Sequence, residues 1–284
     1  MNNPIIRLFG LLLTVSVAHA ETVTVSGTTV DVHLSGRTNS RTVIYVPGCN
    51  GKDEIGRLYQ DFHLQRLKLA FDGDVNVLMI QIFDDITKGS KDGVCFIDTE
   101  KQNDMGANSL TLARKIGDVL PWIREQAWFN GTAHFFGFSQ GGRVGVFANS
   151  IDKTRGFFKT FILIWPMCLL EYKPPIILRA HTPTRIFATE NDPISQPKNC
   201  PGFYSSESPI ELSLFPGDVH SWATYPSLAA HIDYWPNYKK TVTHRYVKEY
   251  ADTMWSTWSA WALCMENNRQ CSVSAQVIDV RLAE

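Results

Sequence analysis

The sequence predicts an α/β fold: a mostly parallel sheet with helices on both faces, preceded by an N-terminal β-hairpin. Three observations carry the prediction. Short, nearly continuous apolar runs, such as Val75 to Phe83 and Phe158 to Trp165, recur along the chain, and a strand without a polar side is buried on both faces. Stretches of helical period separate them, as parallel crossovers require. The chain has 284 residues, 44% of them hydrophobic, enough for one large core rather than two independent domains.

Residues 1–20 lie outside that fold. Arg7 is followed by an apolar stretch, Leu8 to Val17, and then by Ala18-His19-Ala20. This is the pattern of a signal peptide cleaved after Ala20. The apolar run is too short to span a bilayer, and no Cys follows it to carry a lipid. An uncleaved N-terminal anchor is the alternative. The expectation is an exported protein, periplasmic or secreted, with residues 21–284 forming one domain and no stable membrane insertion after cleavage.

Thr22 to Leu34 alternates around Ser26-Gly27 and predicts the hairpin. Arg41 to Val46 is a β-rich run halted by Pro47-Gly48, and a helical stretch covers Leu58 to Ala70 before the strand Val75 to Phe83. Asp104 to Trp128 has helical spacing, with Leu110, Ala113, Ile116, Leu120 and Ile123 on one face. Pro121 is expected to kink or break it. Thr132 to Phe138 reads as a strand, Gln140 to Ser150 as a helix, and Phe158 to Trp165, Thr184 to Ala188 and Ile210 to Phe215 as strands. Tyr246 to Ala262 reads as a closing helix. No internal repeat or low-complexity linker divides the chain.

The 27 Lys plus Arg against 28 Asp plus Glu leave no basic stripe for nucleic acid and no acidic tail. A small-molecule or acyl substrate is the expected partner, and nothing in the sequence specifies an oligomeric state. Cys49, Cys95, Cys168, Cys200, Cys264 and Cys271 form an even set after the signal, which fits three disulfides in an oxidising compartment but leaves the pairing open. No zinc-type CxxC spacing is present, and neither metal nor cofactor is expected.

Gly137-Phe138-Ser139-Gln140-Gly141, extended by Gly142, matches G-x-S-x-G between a strand and a helix. A serine on so sharp a turn needs a strained backbone, and glycines on either side remove the clashes that side chains would cause. Its hydroxyl then lies at the carboxyl end of the sheet, above a helix N-terminus. A serine nucleophile needs a base and an acid to orient that base, in the order Ser, acid, His on such a sheet. Asp192 and Glu190 compete for the acid position after the strand ending near Ala188. His220, just past the last strand in Phe215-Pro216-Gly217-Asp218-Val219-His220, fits the base. His134 falls inside a strand, His181 precedes one, and His231 and His244 come later, in less constrained sequence. Oxyanion donors are expected from the backbone N–H of Gln140 and from Pro47-Gly48-Cys49-Asn50-Gly51, through Cys49 or Asn50.

These residues resemble the dienelactone hydrolase-like branch of the α/β-hydrolases, in its exported members with a serine nucleophile. The resemblance runs from about residue 41 to 222. It rests on Gly48-Cys49-Asn50-Gly51, on Asp84-Asp85 followed by Gly93-Val94-Cys95, and on the elbow Gly137 to Gly142. It continues through Trp165-Pro166-Met167-Cys168, Asp192 to Cys200, and Pro216 to His220. The resemblance implies the α/β-hydrolase fold, a catalytic set of Ser139, Asp192 and His220 with Asp192 favoured over Glu190, and disulfides Cys49–Cys95 and Cys168–Cys200. Cys264 and Cys271 are left to close a small terminal loop. The eponymous enzymes use a cysteine nucleophile, so Ser139 shifts the expectation towards esters and related acyl groups. The stretch His231 to Trp261, with Trp235, Trp255, Trp258 and Trp261, is either an apolar substrate wall or helical packing.

The function expected is that of an exported serine hydrolase cleaving an ester or related acyl substrate through an acyl-enzyme on Ser139. The alternatives are a peptidase or amidase of the same fold, and a non-catalytic exported binding protein that keeps the fold.

Overall fold

The computed structural model describes residues 20–48, 54–81, 102–166, 178–193, 210–220, 222–223, 231–235, 240–267 and 271. Strands β1 (Ala20–Val25) and β2 (Thr28–His33) form the hairpin. Its two turn residues, Ser26 at φ 50° and Gly27 at φ 75°, are both left-handed, which gives the turn a twist that matches the strands. β2 runs antiparallel to β4 (Val75–Gln81). From β4 inward the sheet is parallel, through β3 (Arg41–Val46), β5 (Ala133–Phe138), β6 (Thr160–Ile164), β7 (Thr184–Thr189) and β8 (Ile210–Phe215). The order across the eight strands is β1-β2-β4-β3-β5-β6-β7-β8.

The continuous apolar runs are the central strands because each feeds two cores. Side chains alternate across a strand. Ile44 and Val46 of β3, Leu78 and Ile80 of β4, and Leu163 of β6 join one core. Val43 and Tyr45, Val77 and Met79, and Ile162 and Ile164 join the other. Helices α2 (Gln102–Arg124) and α3 (Gln140–Ser150) close the first core through Leu112, Ile116, Leu120, Val144 and Phe147. Helices α1 (Glu54–Ala70) and α4 (Lys248–Glu266) close the second through Leu67, Met254, Trp255, Trp258 and Trp261.

Three sequence expectations change. Helix α2 runs through Pro121 unbroken and ends at Arg124 rather than Trp128. Pro121 lies in the last turn, so the helix loses the one bond that its N–H would have made but has little length beyond it to disrupt. The end tightens through short bonds from Glu125 N to Trp122 O (3.2 Å) and Gln126 N to Ile123 O (3.1 Å). The aromatic stretch is divided: its first half forms an antiparallel pair, β9 (His231–Trp235) and β10 (Lys240–His244), which the sequence reading did not anticipate. Its second half is α4, and there packing is the answer: Trp255, Trp258 and Trp261 are buried, with Trp255 stacked on Phe136 (centroids 5.3 Å apart) and Trp258 edge-on to Phe71 (5.4 Å).

Cys264, in the last turn of α4, is joined by a disulfide to Cys271 beyond it. The pairs Cys49–Cys95 and Cys168–Cys200 lie outside the described residues, as do residues 1–19. Among the described residues no helix is long and apolar enough to cross a membrane.

Candidate active site

The site is built on the carboxyl ends of β5, β7 and β8. Between β5 and α3 the backbone turns on Ser139, at φ 52° and ψ −112°, a region that residues with a side chain rarely occupy. The neighbouring chain leaves room for nothing but glycine. A Cβ on Gly137 would stand 2.5 Å from the Gly141 carbonyl oxygen, and one on Gly141 2.0 Å from that of Val46. The turn is therefore jammed against the end of β3. Ser139 N donates to Ile164 O at 2.7 Å, and Arg143 N donates back to Ser139 O at 3.0 Å, starting the helix. The Ser139 side chain makes no capping bond to the helix. It is 8% exposed, and the unsatisfied first-turn N–H groups of α3 lie beside it.

Two loops bring the other groups in. Glu190 N donates to Phe215 O and Asn191 N to Gly217 O, both at 2.9 Å, and Thr189 Oγ1 donates to Val219 O at 2.9 Å. These bonds lash the loop after β7 to the loop after β8. As a result Asp192 is fully buried and His220 is 2% exposed, and His220 Nδ1 meets Asp192 Oδ2 at 2.7 Å. Glu190, the other acid considered, is exposed. A buried carboxylate requires a charge-assisted partner, and the His220 ring N–H supplies one. With Nδ1–H donated to the carboxylate, Nε2 is left to accept from Ser139 Oγ, 3.4 Å away. A hydroxyl, an imidazole and a carboxylate in this sequence can move a proton off the hydroxyl as it attacks.

Two further residues lie against His220. The Trp165 ring lies 5.2 Å from the imidazole, on a residue at φ 45°. His244, at the end of β10, pairs by a parallel bridge with His220 and turns its ring perpendicular to it at 5.8 Å. The loop after β3 reaches the elbow through Pro47 and Gly48: a Cβ on Gly48 would sit 3.3 Å from Phe138 O and Ser139 Cβ. Cys49 and Asn50, the expected oxyanion donors of that loop, lie outside the described residues. Gln140, whose N–H is the other expected donor, is the first residue of α3.

No protein-family model matches the sequence, and no curated protein is similar to it in sequence. Solved structures are similar in fold. A dienelactone hydrolase-like promiscuous phosphotriesterase from metagenomic libraries superposes with a TM-score of 0.60 at 13% identity, over 88% of this chain and 99% of that one. A sugar hydrolase from Lactococcus lactis gives 0.56 at 19% identity, over 88% and 99%. An α/β-hydrolase enzyme from a Medee basin deep-sea metagenome library gives 0.56 at 11% identity, over 89% and 99%. The likeness covers most of the chain and is one of architecture: the protein has the α/β-hydrolase fold, in the form also taken by dienelactone hydrolase-like structures.

Proposed function

We propose that this protein is a serine hydrolase that cleaves a carboxylic ester or related acyl substrate through an acyl-enzyme on Ser139. The observation that carries the reading is the contact chain at the elbow. Ser139, held at a left-handed φ, lies 3.4 Å from His220 Nε2, and His220 Nδ1 lies 2.7 Å from the buried Asp192 carboxylate. Ser139 Oγ attacks the acyl carbon while its proton passes to His220 Nε2. The carbonyl oxygen gains charge that the N–H of Gln140 and a donor from the Cys49–Asn50 loop receive. His220 then gives the proton to the leaving oxygen, which departs with the alcohol. In the second half His220 takes a proton from water, hydroxide adds to the acyl carbon, and the acid is released as Ser139 regains its hydrogen. Asp192 fixes the tautomer of His220 and stabilises the imidazolium. The structural neighbours include a phosphotriesterase and a sugar hydrolase, so the fold leaves the choice of acyl group to the loops around the site.

Labelling of the purified mature protein with a fluorophosphonate, mapped by mass spectrometry, tests this without a known substrate. A single adduct on Ser139 that is lost in His220→Ala is the expected result, with ester and peptide screens to follow. No adduct on folded, disulfide-intact protein sinks the reading in favour of a binding protein.

The same proposal includes export, with cleavage after Ala20. The Cys264–Cys271 disulfide supports an oxidising compartment. N-terminal sequencing of protein from a periplasmic or culture fraction is expected to begin at Glu21, and a start at Met1 refutes it.

A further inference from the structure

Another histidine, outside the proton path above, touches three of the segments that meet near the elbow. His63, on α1, is fully buried. Its Nε2 lies 3.2 Å from the carbonyl oxygen of Ala223, three residues beyond His220. Its Nδ1 lies 2.7 Å from the hydroxyl of Tyr45, on the strand that leads into Pro47-Gly48. Its ring packs 4.4 Å from that of Phe138, the residue before Ser139.

The partners dictate the tautomer. A backbone carbonyl only accepts, so Nε2 carries the hydrogen, and Nδ1 accepts from the Tyr45 hydroxyl. Burial lowers the His63 pKa to about 4, against a smaller opposing effect of the Ala223 carbonyl, so this arrangement persists at neutral pH. Burying an imidazole is unfavourable unless both nitrogens are bonded. Here both are, and what they join is the base loop and the strand beneath the oxyanion loop.

We propose that His63 is a positioning residue for the base: by donating Nε2–H to Ala223 O it holds the His220 loop at the distance from Ser139 that proton transfer needs. The proposal rests on the reading of Ser139 and His220 given above. Geometry at a reacting centre is unforgiving, and a displacement of about 1 Å made far from the chemistry can slow a reaction about a hundredfold.

The test uses the full mature chain as wild type, His63→Gln and His63→Phe. Fluorophosphonate labelling of Ser139 is followed from about pH 5 to 9, and the histidine ring nitrogens are read by NMR. His63→Gln keeps an N–H for Ala223 and is expected to label within about threefold of wild type, whereas His63→Phe fills the space without a donor and slows about tenfold or more, with a displaced pH midpoint. Restored rate and midpoint in His63→Gln separate positioning from simple packing. His63→Phe labelling at the wild-type rate and midpoint overturns the proposal, and so does wild-type His63 carrying its hydrogen on Nδ1. The wild-type tautomer decides the matter even if His63→Phe does not fold. A wild type that takes no adduct refutes the hydrolase reading instead. The His63 role is then judged on the His220 imidazole: a titration midpoint moved by His63→Phe and restored by His63→Gln supports it, and an unmoved one overturns it.

Discussion

At each end of strand β5 a histidine stands between a hydroxyl and a carboxylate. At its carboxyl end, Ser139, His220 and Asp192 make one such set. At its amino end, His134 lies 2.8 Å from Thr160 Oγ1 through Nδ1 and 2.8 Å from Glu266 Oε1 through Nε2. The two sets stand five residues apart, about 16 Å along a strand. They hold the same functional groups, with the ring nitrogens exchanged: His134 faces the carboxylate with Nε2 and the hydroxyl with Nδ1.

The surroundings differ. Thr160 is fully buried at the start of an ordinary strand, whereas Ser139 is strained at the mouth of a helix. Glu266 also takes two bonds from Arg41 Nε, at 2.6 and 2.8 Å, which makes it the clasp between α4 and the sheet floor. Under the proposed function, then, proximity of three residue types does not suffice, and backbone strain, an adjacent helix N-terminus and access set the Ser139 set apart.

Substitutions at the two ends sharpen this contrast. Ser139→Ala is expected to remove at least about 10⁴-fold of any hydrolysis, while Thr160→Val leaves activity within about threefold. Equality of the two in a turnover assay would erase the distinction. Asp192→Asn, which disturbs the tautomer of His220, should slow turnover by about 10³- to 10⁴-fold with a small change in melting temperature. Glu266→Gln should do the reverse. Turnover holds, and chemical denaturation shows a loss of about 1–3 kcal/mol, because Arg41 and His134 lose a charged acceptor.

Acid titration separates the contributions further. Burial pushes the Glu266 carboxyl upward, but hydrogen bonds from His134 and Arg41 outweigh it and hold the folded pKa below the ordinary value. That stabilisation is complete above the unfolded carboxylate range and disappears as pH falls through the folded pKa. The stability gap between wild type and Glu266→Gln should be flat near neutrality and close only in strong acid. His63 acts in another window. Its folded pKa is about 4 against 6.5, so the unfolded chain takes up the proton first and stability declines as pH falls from about 6.5 to 4. Denaturant melts at stepped pH, with His63→Gln flattening only the upper window, check both signs.

The elements that local pattern dictates were legible in the sequence. β3, β8 and α3 have the limits that their periodicity and punctuation imply, and the glycines of the elbow announce the turn before any contact is known. His220 and the acid pair Glu190 and Asp192 could be marked because they follow strand ends in chain order, while the preference for Asp192 came from the family resemblance. His63 could not, since its partners Tyr45 and Ala223 are 18 and 160 residues away, and a lone histidine in an amphipathic helix carries no mark of them. The His134–Glu266 clasp spans 132 residues and was hidden for the same reason. β9 and β10 were obscured by the tryptophans, whose spacing in α4 dominates that stretch.

Glu266 lies inside the ring closed by Cys264 and Cys271. A covalent ring this small confines the clasp's carboxylate near Arg41 and His134 even when α4 frays, which raises its effective concentration there. The sheet floor is thereby sensitive to thiol chemistry. In a reducing medium the amides around His134 should exchange hydrogen faster, because the clasp then depends on the last turn of α4 alone.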